Sequence, residues 1–153
     1  CRQHATTARR WTHRAAARRS GESISPLAGA QSRAEYPDEC CGVILGPIGK
    51  GLPERLKPMI NAAHSPTFYE FDPKDLLALY REVDDNDEEI VVIYHSHTET
   101  EAFPSRTDIA YAGEPGAHYV LVSSRKEIAP AIEFRSFRII DGVVTEEEVS
   151  ITA

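Results

Sequence analysis

The alternation of apolar and polar residues predicts short strands and helices along the chain after about residue 25. The clearest strand covers 89–94, a β-branched apolar run that suits burial on both faces. The clearest helix begins at Asp72-Pro73 and carries an apolar stripe at i, i+3, i+4 and i+7 spacing. Weaker patterns predict two further helices, over 25–36 and 105–112, and five further strands, over 40–45, 55–62, 118–123, 131–140 and 143–151.

The order of these elements predicts the fold class. Strands and helices alternate through the middle of the chain, and three strands follow one another at its end. Asp141-Gly142 is a strong two-residue hairpin signal between the last two strands. Pro58 indicates that the 55–62 strand lies at a sheet edge, because proline cannot donate to a strand ladder. The sequence therefore predicts an α/β fold with a single mixed central sheet flanked by helices.

Composition narrows the class of protein. The 153 residues are 41% hydrophobic and 27% charged, which is typical of one globular domain. No apolar run is long enough for a membrane span, so we expect no membrane partner. Three cysteines, two of them adjacent at Cys40 and Cys41, make a poor disulfide framework. We therefore expect reduced thiols and a cytoplasmic protein.

Charge is unevenly distributed along the chain. Residues 1–35 hold seven arginines and two acidic residues, although the whole chain has a net charge of −7. An arginine-rich arm is compatible with a nucleic-acid tail or a targeting peptide. The scarcity of aliphatic side chains in it favours disorder instead. We predict a disordered arm over 1–24, one folded domain over 25–153, and no nucleic-acid partner.

A candidate metal site follows the strand 89–94. His95 and His97 are two residues apart, so in an extended chain their imidazoles share one face and can converge on a cation. Asp108 is a third candidate ligand in the first turn of the 105–112 helix. Ser105 and Asp108 also have the spacing of a capping box, so a purely structural role stays open for both. Two histidines and a carboxylate, with a position left for water, form the ligand set of a catalytic zinc site.

A catalytic zinc site also needs a general base. Glu39 stands directly before an apolar strand, where a half-buried acid is unusual, although Asp38 competes for the role on composition alone. Other motif interpretations fail: His97-Thr98-Glu99 lacks the Pro-Cys-x-x-Cys of zinc deaminases, and Gly49-Lys50 lacks P-loop spacing. His64 and His118 are interpreted as structural or surface residues.

Together these residues resemble a known family signature. Glu39, His95-Ser96-His97, Ser105 and Asp108 have the residue types and spacings of the JAMM (MPN-plus) metalloproteases. The resemblance implies that Glu39 is the general base, that His95, His97 and Asp108 bind one zinc ion per chain, and that Ser105 helps to stabilise an oxyanion. It also implies an MPN-type fold with layering like that of cytidine deaminases.

Within that family the chain is most similar to small bacterial members. The segments 36–39, 65–69 and 98–108 carry this similarity. It implies a zinc peptidase or isopeptidase that acts at the C-terminus of a ubiquitin-like sulfur-carrier protein, or on its C-terminal adduct, and releases cysteine. Two alternatives are a non-catalytic scaffold of the same fold and a general small-peptide zinc hydrolase.

Overall fold

A single seven-stranded mixed sheet organises the protein. The computed structural model describes residues 10–14 and 24–152. The strand order is β1-β7-β6-β5-β4-β2-β3, so the prediction of one mixed sheet flanked by helices is confirmed. The elements are β1 (Arg10–Arg14), α1 (Ile24–Glu35), β2 (Cys41–Pro47), β3 (Arg55–Met59), α2 (Pro73–Asp85), β4 (Glu88–His97), α3 (Arg106–Tyr111), β5 (His118–Ser123), a 3₁₀ turn (Lys126–Ile128), β6 (Glu133–Ile140) and β7 (Val143–Thr152).

Strand β4 connects the two parts of the sheet. It pairs antiparallel with β2 and parallel with β5. His95 lies opposite Cys41 of β2, and His97 lies opposite Ser123 of β5. The helix α3 belongs to the crossover between the two parallel strands, as parallel pairing requires. This arrangement brings the end of β4 close to the first turn of α3.

Helices cover both faces of the central strands. On one face Val43 and Ile93 pack in a cluster that includes Leu79 of α2. On the other face Val92 and its neighbours pack against Ala28 of α1. Because adjacent residues of a strand point to opposite faces, β4 contributes to both clusters, as its unbroken apolar run predicts.

Local signals in the sequence mark the start of α2 and the hairpin between β6 and β7 correctly. The Asp72 carboxylate accepts hydrogen bonds from the amides of Lys74 and Asp75, and Pro73 occupies the first helical position of α2. Asp141 and Gly142 have φ values of 50° and 75°, as the hairpin between β6 and β7 requires. The predicted edge strand is also confirmed, since β3 ends the sheet.

The Arg-rich arm differs from its prediction at one point. Residues 10–14 form β1, which pairs parallel with β7, so the expectation of disorder is wrong for these five residues. Without β1, this edge of β7 would leave backbone groups unpaired, and a strand with few apolar side chains can still pair with them. Ile24, the last residue of the predicted arm, begins α1, whereas 1–9 and 15–23 lie outside the described residues, and the division at residue 24 stays a prediction.

The described residues bear on the expectations of reduced thiols and of no membrane-spanning segment. Cys40 and Cys41 are free and buried, as expected, whereas Cys1 lies outside these residues. None of the helices in 24–152 is both long and apolar enough to cross a membrane.

A buried charged cluster joins β5, β6 and β7 at the end of β5 remote from His97. The Glu147 carboxylate lies 2.7 Å from Nδ1 of His118, 3.0 Å from the Ser136 hydroxyl and 3.2 Å from Nε of Arg138. Burial alone would raise the pKa of Glu147, but these hydrogen bonds and the Arg138 charge bring it below its usual value. The interpretation of His118 as structural therefore fits its position.

Replacing Glu147 by alanine is expected to lower the free energy of unfolding at neutral pH by about 3 kcal/mol or more, because His118, Ser136 and Arg138 lose the buried carboxylate that they contact. A lowered pKa in the fold means that the carboxylate stabilises the protein above the unfolded value of about 4.3 and loses this effect as the pH falls through the folded value. Urea unfolding of wild type, Glu147→Ala and the exposed control Glu148→Ala, at neutral and acid pH, measures this. A Glu147→Ala deficit that does not shrink in acid would contradict it.

Candidate metal centre

The two histidines of the motif meet at the end of β4. His95 and His97 point to the same face of the strand, and their Nε2 atoms are 3.3 Å apart. Ser96 between them points to the other face, where its hydroxyl accepts a hydrogen bond of 2.8 Å from the backbone amide of Cys40. This bond ties the histidine pair to the segment that carries Glu39.

Asp108 completes the cluster from the first turn of α3. Its Oδ2 atom lies 3.1 Å from Nε2 of His95 and 3.1 Å from Nε2 of His97. The same oxygen accepts from the backbone amide of Ser105, whose hydroxyl accepts from the amide of Asp108. The capping box and the convergence with the histidines are therefore both present, so the two interpretations of Asp108 are not alternatives.

The donor set matches what a zinc ion requires. The ligand atoms of His95, His97 and Asp108 all lie within 4.8 Å of one another. The three side chains are 2%, 6% and 9% exposed, so little water competes for them. Two imidazole nitrogens and a carboxylate oxygen are typical zinc ligands. Among the described residues, this cluster has the donor atoms and the spacing to hold one metal ion.

Electrostatics favour the metal-binding charge state of His95 and Asp108, whereas in His97 they favour the protonated form, whose proton a metal ion would have to displace. Burial lowers the pKa of His95, which keeps its imidazole neutral. Burial alone would raise the pKa of Asp108, but hydrogen bonds from His95 and His97 hold it far below its usual range. For His97, burial acts to lower the pKa, but its bonds to Asp108 and to the Glu101 carbonyl outweigh this and raise it. The cluster therefore contains an anionic carboxylate beside two imidazoles.

The two imidazoles are oriented by different contacts. Nδ1 of His97 lies 2.8 Å from the carbonyl oxygen of Glu101, so this nitrogen carries the proton and Nε2 faces Asp108. Nδ1 of His95 is buried and has no hydrogen-bond partner among the described residues. The ring of Tyr69 stacks on His95 instead, with centroids 4.3 Å apart. Tyr69 belongs to the segment 65–69 that carries the family similarity, but no role could be predicted for it, because an aromatic residue in a loop gives no periodic signal.

Glu39 lies buried beside the cluster, with Oε2 lacking a hydrogen-bond partner among the described residues. Burial, and to a smaller extent the charge of Asp108, raises its pKa to about 8, although His97 acts in the opposite direction. The side-chain amide of Asn61 donates to the backbone carbonyl of Glu39 at 3.0 Å. Asn61 was also missed, because a single asparagine after a strand is not a specific signal.

The remaining candidates occupy distinct positions. The Ser105 hydroxyl accepts a capping bond and keeps its own proton available to a ligand. Asp38 is half-buried, and its backbone amide bonds Glu35 at the end of α1. His64 is exposed. His118 belongs to the remote cluster with Glu147, so neither of these histidines joins the metal centre.

A cavity of about 500 Å³ adjoins the cluster. It lies between α2, α3 and the loop that carries Tyr69, and Asp108 is part of its wall. Most of its lining is aromatic or aliphatic, namely Val43, Phe68, Tyr69, Phe71, Leu76, Tyr80, Ile90, Ile93, Tyr111 and Tyr119. An apolar cavity beside a few convergent polar groups is typical of a binding site.

Comparison with known proteins identifies the family of the chain. Residues 27–140 match the family model described as prokaryotic homologs of the JAB domain. The chain belongs to the prokaryotic JAB family. The motif in the sequence predicts a member of the family of JAB and MPN domains, and this prediction is confirmed.

Two proteins similar to this chain are named as enzymes, one of them as a peptidase. The chain is 56% identical over 122 residues to the CysO-cysteine peptidase of Mycobacterium tuberculosis, covering 80% of this chain and 82% of that protein. It is 31% identical over 103 residues to a desampylase of Haloferax volcanii, covering 67% of this chain and 74% of that protein.

Solved structures show the same fold. A solution structure from Desulfitobacterium hafniense matches with a TM-score of 0.72 at 28% identity, covering 84% of this chain and 88% of that one. A JAB1/MPN domain protein from Archaeoglobus fulgidus matches with a TM-score of 0.50 at 14% identity, covering 81% and 91%, which bears on the fold alone.

Proposed function

We propose that the protein is a zinc-dependent peptidase that cleaves a bond at the C-terminus of a ubiquitin-like sulfur-carrier protein and releases cysteine. The observation that carries the proposal is the convergence of His95, His97 and Asp108 beside the buried Glu39. The name of the Mycobacterium tuberculosis relative supports the substrate, since that relative is a CysO-cysteine peptidase.

His95, His97 and Asp108 would hold the metal ion. When bound, zinc acts as a Lewis acid that polarises a carbonyl and makes water more acidic. The carboxylate of Asp108 supplies the negative charge of the ligand set, and its bonds within the α3 capping box fix its direction. The geometry of the three ligands is thus built before any substrate arrives.

Glu39 is the proposed general base and acid. Its free Oε2 takes a proton from water as the water oxygen attacks the peptide carbonyl. It then delivers that proton to the departing amine, so one water molecule is consumed and one carboxyl group and one amine are formed. Burial raises the pKa of Glu39 to about 8, and the positive charge of a bound metal ion would lower it from there towards the working pH, where a carboxyl group can both accept and return a proton.

Ser105 is the proposed oxyanion donor. Its hydroxyl accepts the Asp108 amide and therefore has its O–H left to donate. Contacts of this kind typically contribute a few kcal/mol to the transition state, about 10²–10³-fold in rate. An extended substrate tail can reach the centre past the apolar cavity, and exposed strand edges such as β3 offer backbone hydrogen bonds to such a tail.

Mass spectrometry of a carrier adduct tests the proposal. A ubiquitin-like carrier extended by one C-terminal cysteine is incubated with zinc-loaded protein, beside a short peptide with the same last residues. We expect the carrier to lose one cysteine faster than the peptide does, and chelation of zinc to stop the reaction. Cleavage of the peptide alone would indicate a general peptide hydrolase, and cleavage of neither would indicate a scaffold.

A further inference from the structure

One peptide group in the loop between His97 and Ser105 makes three short hydrogen bonds. The carbonyl oxygen of Glu101 lies 2.8 Å from Nδ1 of His97 and also accepts from the backbone amide of Phe103 at 2.8 Å. The amide of Ala102, in the same peptide unit, donates to Oε1 of Glu133 at 2.6 Å. A single peptide plane therefore connects the imidazole of His97 with a carboxylate on β6.

Glu133 is itself held in place. The Arg125 guanidinium lies 3.1 Å from Oε1 and 3.5 Å from Oε2 of Glu133. The Ser123 hydroxyl, which also contacts Arg125, donates to the carbonyl of Thr100 in the same loop. The hydrogen bond from Arg125, followed by that from the Ala102 amide, lowers the pKa of Glu133, so it is a carboxylate at neutral pH.

We propose that Glu133 is a positioning residue for the metal ligand His97, acting through the Glu101–Ala102 peptide. This inference rests on the proposed function, in which His97 binds zinc. A metal-binding histidine commonly donates its second N–H to a carboxylate or a carbonyl, which fixes the ring tautomer and raises ligand basicity. Here the carbonyl is the direct partner, and the carboxylate lies one peptide further away.

The effect has two physical parts. The bond from Ala102 to Glu133 fixes the plane of the peptide, so the Glu101 carbonyl stays directed at His97. Negative charge at the amide end also polarises the peptide and makes its carbonyl a stronger acceptor, since hydrogen bonds in a chain reinforce one another. Within 10–14 and 24–152, Nδ1 of His95 has no such contact, so His97 is the imidazole whose orientation depends on this chain of bonds.

Zinc affinity separates this role from simple anchoring of the loop. We expect Glu133→Ala to weaken zinc binding by about 10- to 100-fold, the usual effect of losing such a supporting contact. Glu133→Gln keeps the acceptor for the Ala102 amide and loses only the charge, so a smaller loss is expected. Competition titration against a chromophoric chelator measures the zinc dissociation constant, and thermal unfolding of the metal-free proteins reports stability separately.

Glu82→Ala is the matched control. Glu82 is a similarly exposed carboxylate, 32% against 29% for Glu133, and it is paired with Arg55 and Lys57 far from the loop. Its loss should leave zinc affinity at the wild-type value. Should Glu133→Ala not fold, Glu133→Gln decides, because it retains the acceptor that anchors the loop.

The inference would be overturned if folded Glu133→Ala bound zinc with wild-type affinity. If the alanine variant does not fold, the same result in Glu133→Gln would overturn it. His97→Ala, measured in the same titration, distinguishes this result from failure of the proposed function. If His97→Ala loses zinc while the deciding Glu133 variant keeps it, only the positioning role is wrong. If His97→Ala keeps zinc, the metal-site assignment itself is wrong, and the positioning role with it.

Discussion

Replacing Glu39 by glutamine is expected to lower turnover of a carrier adduct by about 10²–10⁴-fold while the protein keeps its zinc. Glutamine has the size and polarity of glutamate but cannot take a proton from water. The fold should tolerate the change, because burial already disfavours the charged form of Glu39. Turnover by mass spectrometry and zinc content by elemental analysis, on the same samples, measure the two effects.

Asp38→Asn is the matched control for that experiment. Asp38 is the neighbouring acid, and its backbone amide bonds Glu35 at the end of α1. We expect near wild-type turnover from this variant. Near wild-type turnover in Glu39→Gln would refute the mechanism, and a collapse in Asp38→Asn alone would transfer the role of base to Asp38.

The second large effect concerns the metal. We expect the wild-type protein to retain about one zinc ion per chain through gel filtration. The double replacement His95→Ala/His97→Ala should reduce this to near zero, because it removes two of three protein ligands. Asp108→Asn should weaken binding less, since a neutral amide oxygen remains at the position of an anionic one.

An exposed histidine provides the control for zinc retention. His64→Ala removes an imidazole that lies outside the cluster, so its zinc content should equal that of the wild type. Stoichiometric zinc in the double variant would mean that the ion is held elsewhere, and the ligand assignment would be wrong.

Much of the fold could be predicted because its signals are local. The N-cap at Asp72, the proline in β3 and the Asp141-Gly142 turn each act over a few residues, and each prediction agrees with the structure. The pairing of β1 with β7 could not be predicted in this way. It depends on backbone groups at the edge of a distant strand, which leave no pattern in the sequence of residues 10–14.

The residues of the site could likewise be predicted only where their signal is local. His95, His97 and Asp108 stand out because metal chemistry restricts the residue types and because strand and helix geometry restricts their spacing. Their supporting residues are chosen by contacts between distant segments. Asn61 reaches Glu39 across 22 positions, and Glu133 reaches Ala102 across 31. Neither a loop asparagine nor a strand glutamate is unusual enough to be recognised without the fold.

The central claim is that His95, His97 and Asp108 bind zinc together, and anomalous diffraction at the zinc absorption edge tests it most directly. Crystals of the zinc-loaded protein are predicted to show one strong anomalous peak, about 2.0–2.2 Å from Nε2 of each histidine and from a carboxylate oxygen of Asp108. A strong zinc peak elsewhere, with none inside this cluster, would contradict the account.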